Sequence, residues 1–218
     1  ETYEKVKPSE LLNQSWSKPK LKHRAPNVLS MIRRFNQSSA GVATEIMMGA
    51  TVRDRVRAIT KFVKIAEHLY AMNNFNSLMA VTAAMNSSSV SRLKFTFDEL
   101  PAIVQRSKEE YEALMATNWK GLRAKLTSLS NEFPCIPYLG MFLTDLTMVD
   151  ENPDTLRGLI NFGKRQLVYN IISIVQQRQQ KPYAIQPVQQ IIQLLKKVPT
   201  KDEDRKSTRL NSSHGKLS

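Results

Sequence analysis

Apolar residues recur at helical spacing along most of the chain, and the longest such pattern occupies residues 134–180. It predicts two helices that fold back on each other. The first is expected to begin near Pro137, because proline is tolerated in the first turn of a helix. Its apolar face is formed by Leu139, Leu143 and Leu146, at spacings of four and three.

The start of the second helix is predicted at Asn152-Pro153-Asp154. Asparagine suits the N-cap, proline the first position, and aspartate the positive end of the helix dipole. The apolar stripe that follows consists of Leu156, Leu159, Ile160, Leu167, Ile171, Ile174 and Val175. Because Asp150 and Glu151 lie between the two helices, the pattern predicts an antiparallel hairpin with an acidic tip.

Shorter helices are predicted before this hairpin. One is expected around KPSELLNQSW, and another has Val28, Leu29, Ile32 and Phe35 on one face and ends in the polar stretch NQSSAG. Thr51 and Asp54 form a capping box, which opens a strongly amphipathic helix reaching Tyr70. Asn73-Asn74 ends that helix, and a short apolar helix follows over residues 75–85.

The remaining pattern is also helical. Thr96 and Glu99 form a second capping box that opens a helix to about Ala116, and further helices are expected over residues 119–129 and 187–198. No segment alternates convincingly as a strand. The predicted fold is all-α, a single domain of many short helices over residues 1–198 with a protruding antiparallel helical hairpin. Residues 199–218 are predicted to be disordered, and their last dozen residues resemble a non-native extension.

The net charge of +13 is concentrated at the two ends of the chain. Residues 1–34 contribute +5 and residues 196–218 contribute +4, whereas the long middle stretch contributes only +4. Basic ends more often give solubility, or weak attraction to acidic surfaces, than a groove for a nucleic-acid duplex. Charge alone therefore does not define a function.

The side-chain patterns of covalent catalysis are missing from the sequence. His23, His68 and His214 lie far apart, and the single cysteine, Cys135, can form no internal disulfide, which suits a reducing interior. There is no phosphate-cradling glycine loop, nucleophile elbow or metal-ligand spacing. We therefore expect no metal and no cofactor, and a protein that acts by binding.

Four blocks of sequence, in the same order, closely resemble the catalytic domain of Ras-type guanine-nucleotide exchange factors. They are FVKIA with LYAMNNFNSLMA (residues 62–80), AMNSS with SRL (84–93), PCIPYLG with LTD (134–145), and LINF with KR (159–165). The resemblance covers roughly residues 8–198, and the first helix of the family domain is expected to be missing.

This resemblance implies an all-α bowl that holds a Ras-like small GTPase by its switch II. A helical hairpin would then push switch I aside and disturb the magnesium and phosphate site. Such a protein is an exchange factor and performs no covalent chemistry. The resemblance does not distinguish a Ras, Rap or Ral type of partner.

The hairpin positions that match the invading face of the family are Thr144, Asp145, Thr147 and Glu151. Better-known members have leucine where this chain has Thr147, so less apolar bulk would occlude the magnesium. The tip is one residue shorter, so either Asp150 or Glu151 could mimic the displaced anion, and Glu151 is preferred. For Lys164 and Arg165, a solvated helix face and a functional role are equally favoured. The functional role would be support for the first helix or attraction to the acidic surface of the GTPase.

The positions that match the switch II surface are Ile32, Arg33, Met79, Asn86, Phe97, Trp119 and Tyr138. An aromatic pocket with one amide suits an anchoring tyrosine of a partner. Trp119 replaces a tyrosine that is frequent in relatives, which preserves packing but loses a hydroxyl. Core packing is the alternative role for each aromatic residue.

Two other functions stay open. A catalytically weak scaffold of the same fold would bind a GTPase without opening it, and the threonine at position 147 keeps this alternative open. A basic helical module that binds nucleic acid or membrane through its ends is less favoured. We expect no nucleic-acid partner, no obligate oligomer and at most weak peripheral attraction to a membrane. The expected location is the cytoplasm, with recruitment to the inner membrane face where Ras-like GTPases reside.

Overall fold

Nine α-helices and one pair of two-residue strands form the part of the chain that the structure describes. The structure is a computed structural model and describes residues 2–196. The helices are α1 (Pro26–Met47), α2 (Val52–Ala71), α3 (Phe75–Met85), α4 (Lys94–Asp98), α5 (Ala102–Ala113), α6 (Ala116–Ser128), α7 (Leu139–Asp150), α8 (Phe162–Gln177) and α9 (Gln189–Lys196). Strands β1 (Thr155–Leu156) and β2 (Leu159–Ile160) are antiparallel and lie between α7 and α8. The all-α prediction is confirmed.

Helix α3 lies at the centre of the core and packs against both α1 and α2. Phe75, Leu78, Met79 and Met85 have no exposed surface. The limits of α3 match the sequence prediction, because the side chain of Asn74 caps the helix by accepting the backbone N–H of Ser77 at 3.1 Å. Helix α3 thus forms the support on which the neighbouring helices rest.

The capping box at the start of α2 is also confirmed. The backbone N–H of Asp54 donates to Thr51 Oγ1 at 3.1 Å, and the N–H of Thr51 donates to Asp54 Oδ2 at 3.2 Å. Ile59, Val63 and Ala66 then form the buried face of α2, at spacings of four and three. Both start and period of α2 follow from the local sequence.

Two predicted helix boundaries before the hairpin are wrong. Helix α1 continues through NQSSAG to Met47, because Val42 and Ile46 return to the core beyond this polar stretch. Thr96 does not cap a long helix, since it is buried and accepts a hydrogen bond from Arg55 Nε at 3.1 Å. Pro101 separates α4 from α5.

The predicted start of the second hairpin helix is wrong by about ten residues. Arg157 and Gly158 have φ values of 52° and 78°, and they form the turn that joins β1 to β2. Helix α8 starts after this turn, where Asn161 accepts the backbone N–H of Lys164 at 3.1 Å. Asn152 is not a cap; its side chain donates to the carbonyl of Val149 at 3.1 Å.

The later start of α8 changes the role of the predicted apolar stripe. Leu156, Leu159 and Ile160 are exposed on the strand pair, whereas the buried apolar residues of α8 are Ile172 and Val175. Helices α7 and α8 nevertheless pack against each other, and α7 buries one apolar face. The bowl shape and the protrusion of the hairpin stay predictions, and residues 199–218 lie outside the described part of the chain.

The segment before α1 is fixed to the end of α8. The hydroxyl of Tyr3 donates to the carbonyl of Val175 at 2.8 Å, and the Gln179 amide donates to the carbonyls of Tyr3 and Val6 at 2.7 and 2.9 Å. Three 3-10 turns (Tyr3–Lys5, Pro8–Leu11 and Pro19–Arg24) make up most of this segment. Among the described helices, none is both long and apolar enough to cross a membrane.

Candidate functional site

The two ends of α7 carry most of the predicted site. Tyr138 precedes the first residue of α7, and its ring lies 5.5 Å from that of Phe35 and 6.0 Å from that of Trp119, measured between centroids. All three rings are partly buried. A Cβ atom at Gly140 would lie 2.5 Å from the Tyr138 ring, so glycine leaves room for this aromatic cluster. Burial raises the pKa of the Tyr138 phenol.

Trp119 is presented by a left-handed turn inside α6. Thr117, Asn118 and Trp119 have φ values of 50°, 55° and 57°, which interrupt the helix. Non-glycine residues rarely adopt this conformation, and surrounding contacts must hold it. One such contact comes from Arg123, whose Nε donates to the carbonyl of Asn118 at 3.1 Å.

Arg123 also binds the first half of α7. Its guanidinium donates to both carboxylate oxygens of Asp145, at 2.8 and 2.7 Å. The hydrogen bond with Asp145 raises the pKa of Arg123, so its guanidinium stays charged at neutral pH. Asp145, predicted as an invading residue, therefore already has a partner, and its side chain is only 18% exposed. The sequence analysis did not identify Arg123 as this partner.

The other predicted partner-binding residues occupy different environments. Arg33 and Asn86 are exposed, with Asn86 just after the end of α3, and Ile32 is partly buried against the core. Met79 is fully buried, so it offers no surface to a partner in this conformation.

Phe97 is partly buried, and the ammonium group of Lys108 lies 5.0 Å from the centre of its ring. Within residues 2–196, no ring contact joins Phe97 to Trp119 or Tyr138. The structure therefore brings together Trp119 and Tyr138 with Phe35, a residue that the sequence placed only on a helix face.

Two predicted hairpin residues use their hydroxyl groups within α7. Thr144 donates to the carbonyl of Gly140 at 3.0 Å, and Thr147 donates to the carbonyl of Leu143 at 2.8 Å. Both side chains are partly exposed. Because each hydroxyl is satisfied by its own helix, neither is a free donor for a partner.

Three side chains of the described residues bind Asp150. Gln14 Nε2 lies 2.7 Å from Asp150 Oδ2, Lys18 Nζ lies 3.4 Å from the same oxygen, and Lys164 Nζ lies 3.5 Å from Oδ1. Burial acts to raise the pKa of Asp150, but hydrogen bonds from Gln14 and Lys18, together with the charges of Lys18 and Lys164, lower it below its usual value. Asp150 is therefore ionised at neutral pH but already paired.

Glu151 differs from Asp150 in both exposure and partners. It is solvent-exposed, and among the described residues no cation lies within ion-pair distance of it. Its two neighbours are held in place: Lys164 Nζ donates to the carbonyl of Asp150 at 3.1 Å and to that of Asn152 at 2.6 Å. The end of α7 thus presents one free carboxylate on a fixed backbone.

Lys164 is the central residue of this connection. Its side chain is 3% exposed and also pairs with Asp154 at 3.0 Å, so the interpretation of Lys164 as part of a solvated face is wrong. Arg165 does lie on an exposed face, where it pairs with Asp154 at 2.9 Å. Within the described residues, no group of three or more His, Cys, Asp or Glu could hold a metal ion.

Comparison with known proteins supports the resemblance. A family model described as RasGEF domain matches residues 1–166. Ras guanine nucleotide exchange factors J and A of Dictyostelium discoideum are each 50% identical to this chain, over 90% and 89% of its length, and factor I is 47% identical over 96%. The chain spans 24%, 33% and 26% of the lengths of these three proteins.

Proposed function

Because this chain belongs to the RasGEF family, we propose that it binds a Ras-like small GTPase and promotes GDP release and GTP loading. One observation carries this proposal: α7 has a partly exposed aromatic cluster at its start and a free, fixed carboxylate at its end. Twelve residues of helix separate the two by about 18 Å. A single rigid element could therefore hold a partner at one end and perturb it at the other.

Trp119 and Tyr138, with Phe35 packed against Tyr138, would hold the GTPase. Their rings offer partly exposed apolar surface, and aromatic side chains of this kind dominate binding energy at protein interfaces. Exposed Arg33 and Asn86 would supply polar contacts. The ion pair between Arg123 and Asp145 would keep the turn that bears Trp119 in a fixed position relative to α7.

Glu151 would weaken binding of the nucleotide to the GTPase. A carboxylate placed near a phosphate-binding loop competes with phosphate for the same N–H donors and repels it. Asp150 is a poorer candidate because Gln14, Lys18 and Lys164 already occupy its carboxylate. The structural contrast between these two acids supports the choice of Glu151.

The free energy for exchange must come from binding. Accelerating release ~10⁴-fold requires about 5.5 kcal/mol of additional stabilisation of the opened GTPase. The exchange factor and the nucleotide exclude each other reciprocally. The factor by which the exchange factor weakens nucleotide binding therefore equals the factor by which the nucleotide weakens binding of the exchange factor. The direction of exchange then follows from cellular GTP exceeding GDP.

The direct test is a nucleotide-release assay. Ras, Rap and Ral type GTPases are loaded with a fluorescent GDP analogue and mixed with this chain and excess unlabelled nucleotide. At least one GTPase is expected to release its label faster, in proportion to the chain concentration. If no GTPase is accelerated and none binds in its nucleotide-free form, the proposal is wrong.

A catalytically weak scaffold is the second candidate, and Thr147 favours it. The Thr147 hydroxyl is turned to the carbonyl of Leu143, so only a small methyl group is available where the family has leucine. A scaffold would bind nucleotide-free GTPase without accelerating release. Thr147→Leu would then raise the exchange rate severalfold if apolar bulk at this position limits activity.

We propose that the chain works in the cytoplasm, at the inner face of the membrane. This location agrees with the sequence expectation for a Ras-like partner. Fractionation of cells that express the tagged chain would test it, and recovery from the exterior or from an organelle lumen would contradict it.

A further inference from the structure

Helix α2 carries a row of cations along its outer face. Arg53, Arg57, Lys61 and Lys64 are all exposed and follow one another at spacings of four, four and three. At 100° per residue these positions fall within an arc of about 80° and extend over about 17 Å. The opposite face of α2 is buried through Ile59, Val63 and Ala66.

The four charges of this row are largely uncompensated. Among the described residues, the only ion pair of the row joins Arg57 to Asp54 at 3.3 Å. Like charges four residues apart destabilise a helix. Helix α5 shows the opposite arrangement, because Lys108 pairs with Glu112 one turn later at 2.6 Å. The charge row of α2 therefore opposes helix stability, which a surface role would explain.

The shape of the row favours an extended anionic surface over a small ligand. The four cations, together with Val56 and Thr60, line a shallow, open depression whose lining comes from α2 alone. No second element encloses a discrete anion there. No aromatic side chain lines the depression, so it lacks the stacking platform of single-stranded nucleic-acid sites.

We propose that this face of α2 docks on an anionic lipid bilayer. Clusters of four or more Lys and Arg on an amphipathic helix bind phosphatidylserine-rich and phosphoinositide-rich membranes. A straight row places all four ammonium and guanidinium groups at the headgroup plane together. Membrane contact by α2 requires neither a GTPase nor Glu151, so it can be tested separately from nucleotide exchange.

The experiment measures binding of the chain to vesicles by sedimentation. Vesicles of pure phosphatidylcholine are compared with vesicles containing 30% phosphatidylserine, at low and high salt. The test variant changes Arg53, Arg57, Lys61 and Lys64 to glutamine, which keeps helix propensity. The control variant changes Lys20, Lys22, Arg24 and Arg106 to glutamine; these are exposed residues of other segments of the chain, and the change in net charge is the same.

The unaltered chain is expected to bind only the phosphatidylserine vesicles, with loss at high salt. Each removed cation lowers the partition coefficient roughly fivefold when it lies at the membrane surface, so the α2 variant should lose two to three orders of magnitude. The control variant should lose about tenfold or less. Both variants should retain the helical circular dichroism of the unaltered chain.

Three outcomes would overturn the proposal. The first is that the unaltered chain binds the two vesicle types equally. The second is that both variants lose binding equally, which would indicate general charge attraction. The third is that the chain binds duplex or single-stranded DNA more tightly than vesicles, and that the α2 variant loses DNA binding while the control variant keeps it. That result would assign the face to nucleic acid.

Discussion

Replacing Lys164 with methionine tests whether a fixed α7–α8 connection is needed for exchange. Methionine keeps an unbranched, flexible side chain in the buried site but has no ammonium group. The substitution removes the hydrogen bonds to the carbonyls of Asp150 and Asn152, at 3.1 and 2.6 Å, and the ion pair with Asp154 at 3.0 Å. Glu151, which lies between the two released carbonyls, would then lose its fixed position.

The size of the effect follows from the exposure of the partners. A hydrogen bond to a charged group contributes about 1.5–3 kcal/mol, and breaking a fully buried ion pair costs about 3–5 kcal/mol. Asp154 is 65% exposed and Asp150 is 30% exposed, so water can replace part of what is lost. We therefore expect Lys164→Met to remove about 2–4 kcal/mol of the interaction energy that fixes the α7–α8 connection. If Glu151 acts in the opened state, this loss corresponds to a reduction in exchange rate of at least ~30-fold.

Two measurements separate positioning from folding. Fluorescent nucleotide release should fall at least ~30-fold in Lys164→Met, whereas affinity for nucleotide-free GTPase should fall less than ~5-fold, because the aromatic cluster is at the other end of α7. Arg165→Met is the matched control. The Arg165 side chain is 51% exposed, and within the described residues its ion-pair partner is the exposed Asp154, so its loss should change the rate less than ~2-fold. An exchange rate within ~3-fold of the unaltered chain in Lys164→Met, or equal losses of rate and affinity, would refute the reasoning.

Further predictions concern the start of α7. Gly140→Ala should displace the Tyr138 ring and lower affinity for nucleotide-free GTPase about tenfold, while the gain in helix propensity keeps the melting temperature within a few degrees; unchanged affinity would contradict this. Arg123→Gln and Asp145→Asn, alone and together, should give a coupling energy of about 1–2 kcal/mol in chemical denaturation, and additive effects would exclude the ion pair. Burial raises the pKa of the Cys135 thiol to about 11, so thiol reagents at pH 8 should label it at least ~100-fold more slowly in the native chain than in urea; rapid native labelling would contradict its burial.

Local signals predicted the parts of the fold that local contacts determine. The Asn74 cap and the Thr51–Asp54 capping box lie within three residues of the groups they bind, and both α3 and α2 begin where predicted. The predicted start of α8 is wrong because Asn152-Pro153-Asp154 fits the pattern of a helix start, although α8 begins only at Phe162. The positive φ values of Arg157 and Gly158 instead set a strand turn there.

The candidate site depends on contacts that no local pattern contains. The choice between Asp150 and Glu151 rests on Gln14 and Lys18, which lie 136 and 132 positions from Asp150 in the chain. Similarly, Lys164 gave two equal interpretations until its burial was known. These roles follow from tertiary packing, which spacing and composition do not specify.

The cation row on α2 was hidden by the average charge of its part of the chain. Its spacing is fully visible in the sequence, yet the net charge of the long middle stretch is only +4, and such an average conceals a row of four. Only the exposed and buried faces of α2 show that the four cations lie together at the surface.

We propose that one end of α7 opens the GTPase while the aromatic cluster at the other end holds it. The most direct measurement compares Thr147→Ala/Glu151→Ala with Trp119→Ala in nucleotide release and in binding to nucleotide-free GTPase. The hairpin double variant should lose far more exchange rate than affinity, whereas Trp119→Ala should lose affinity itself. If the hairpin variant loses rate and affinity in equal proportion, or retains full exchange, the claim is contradicted.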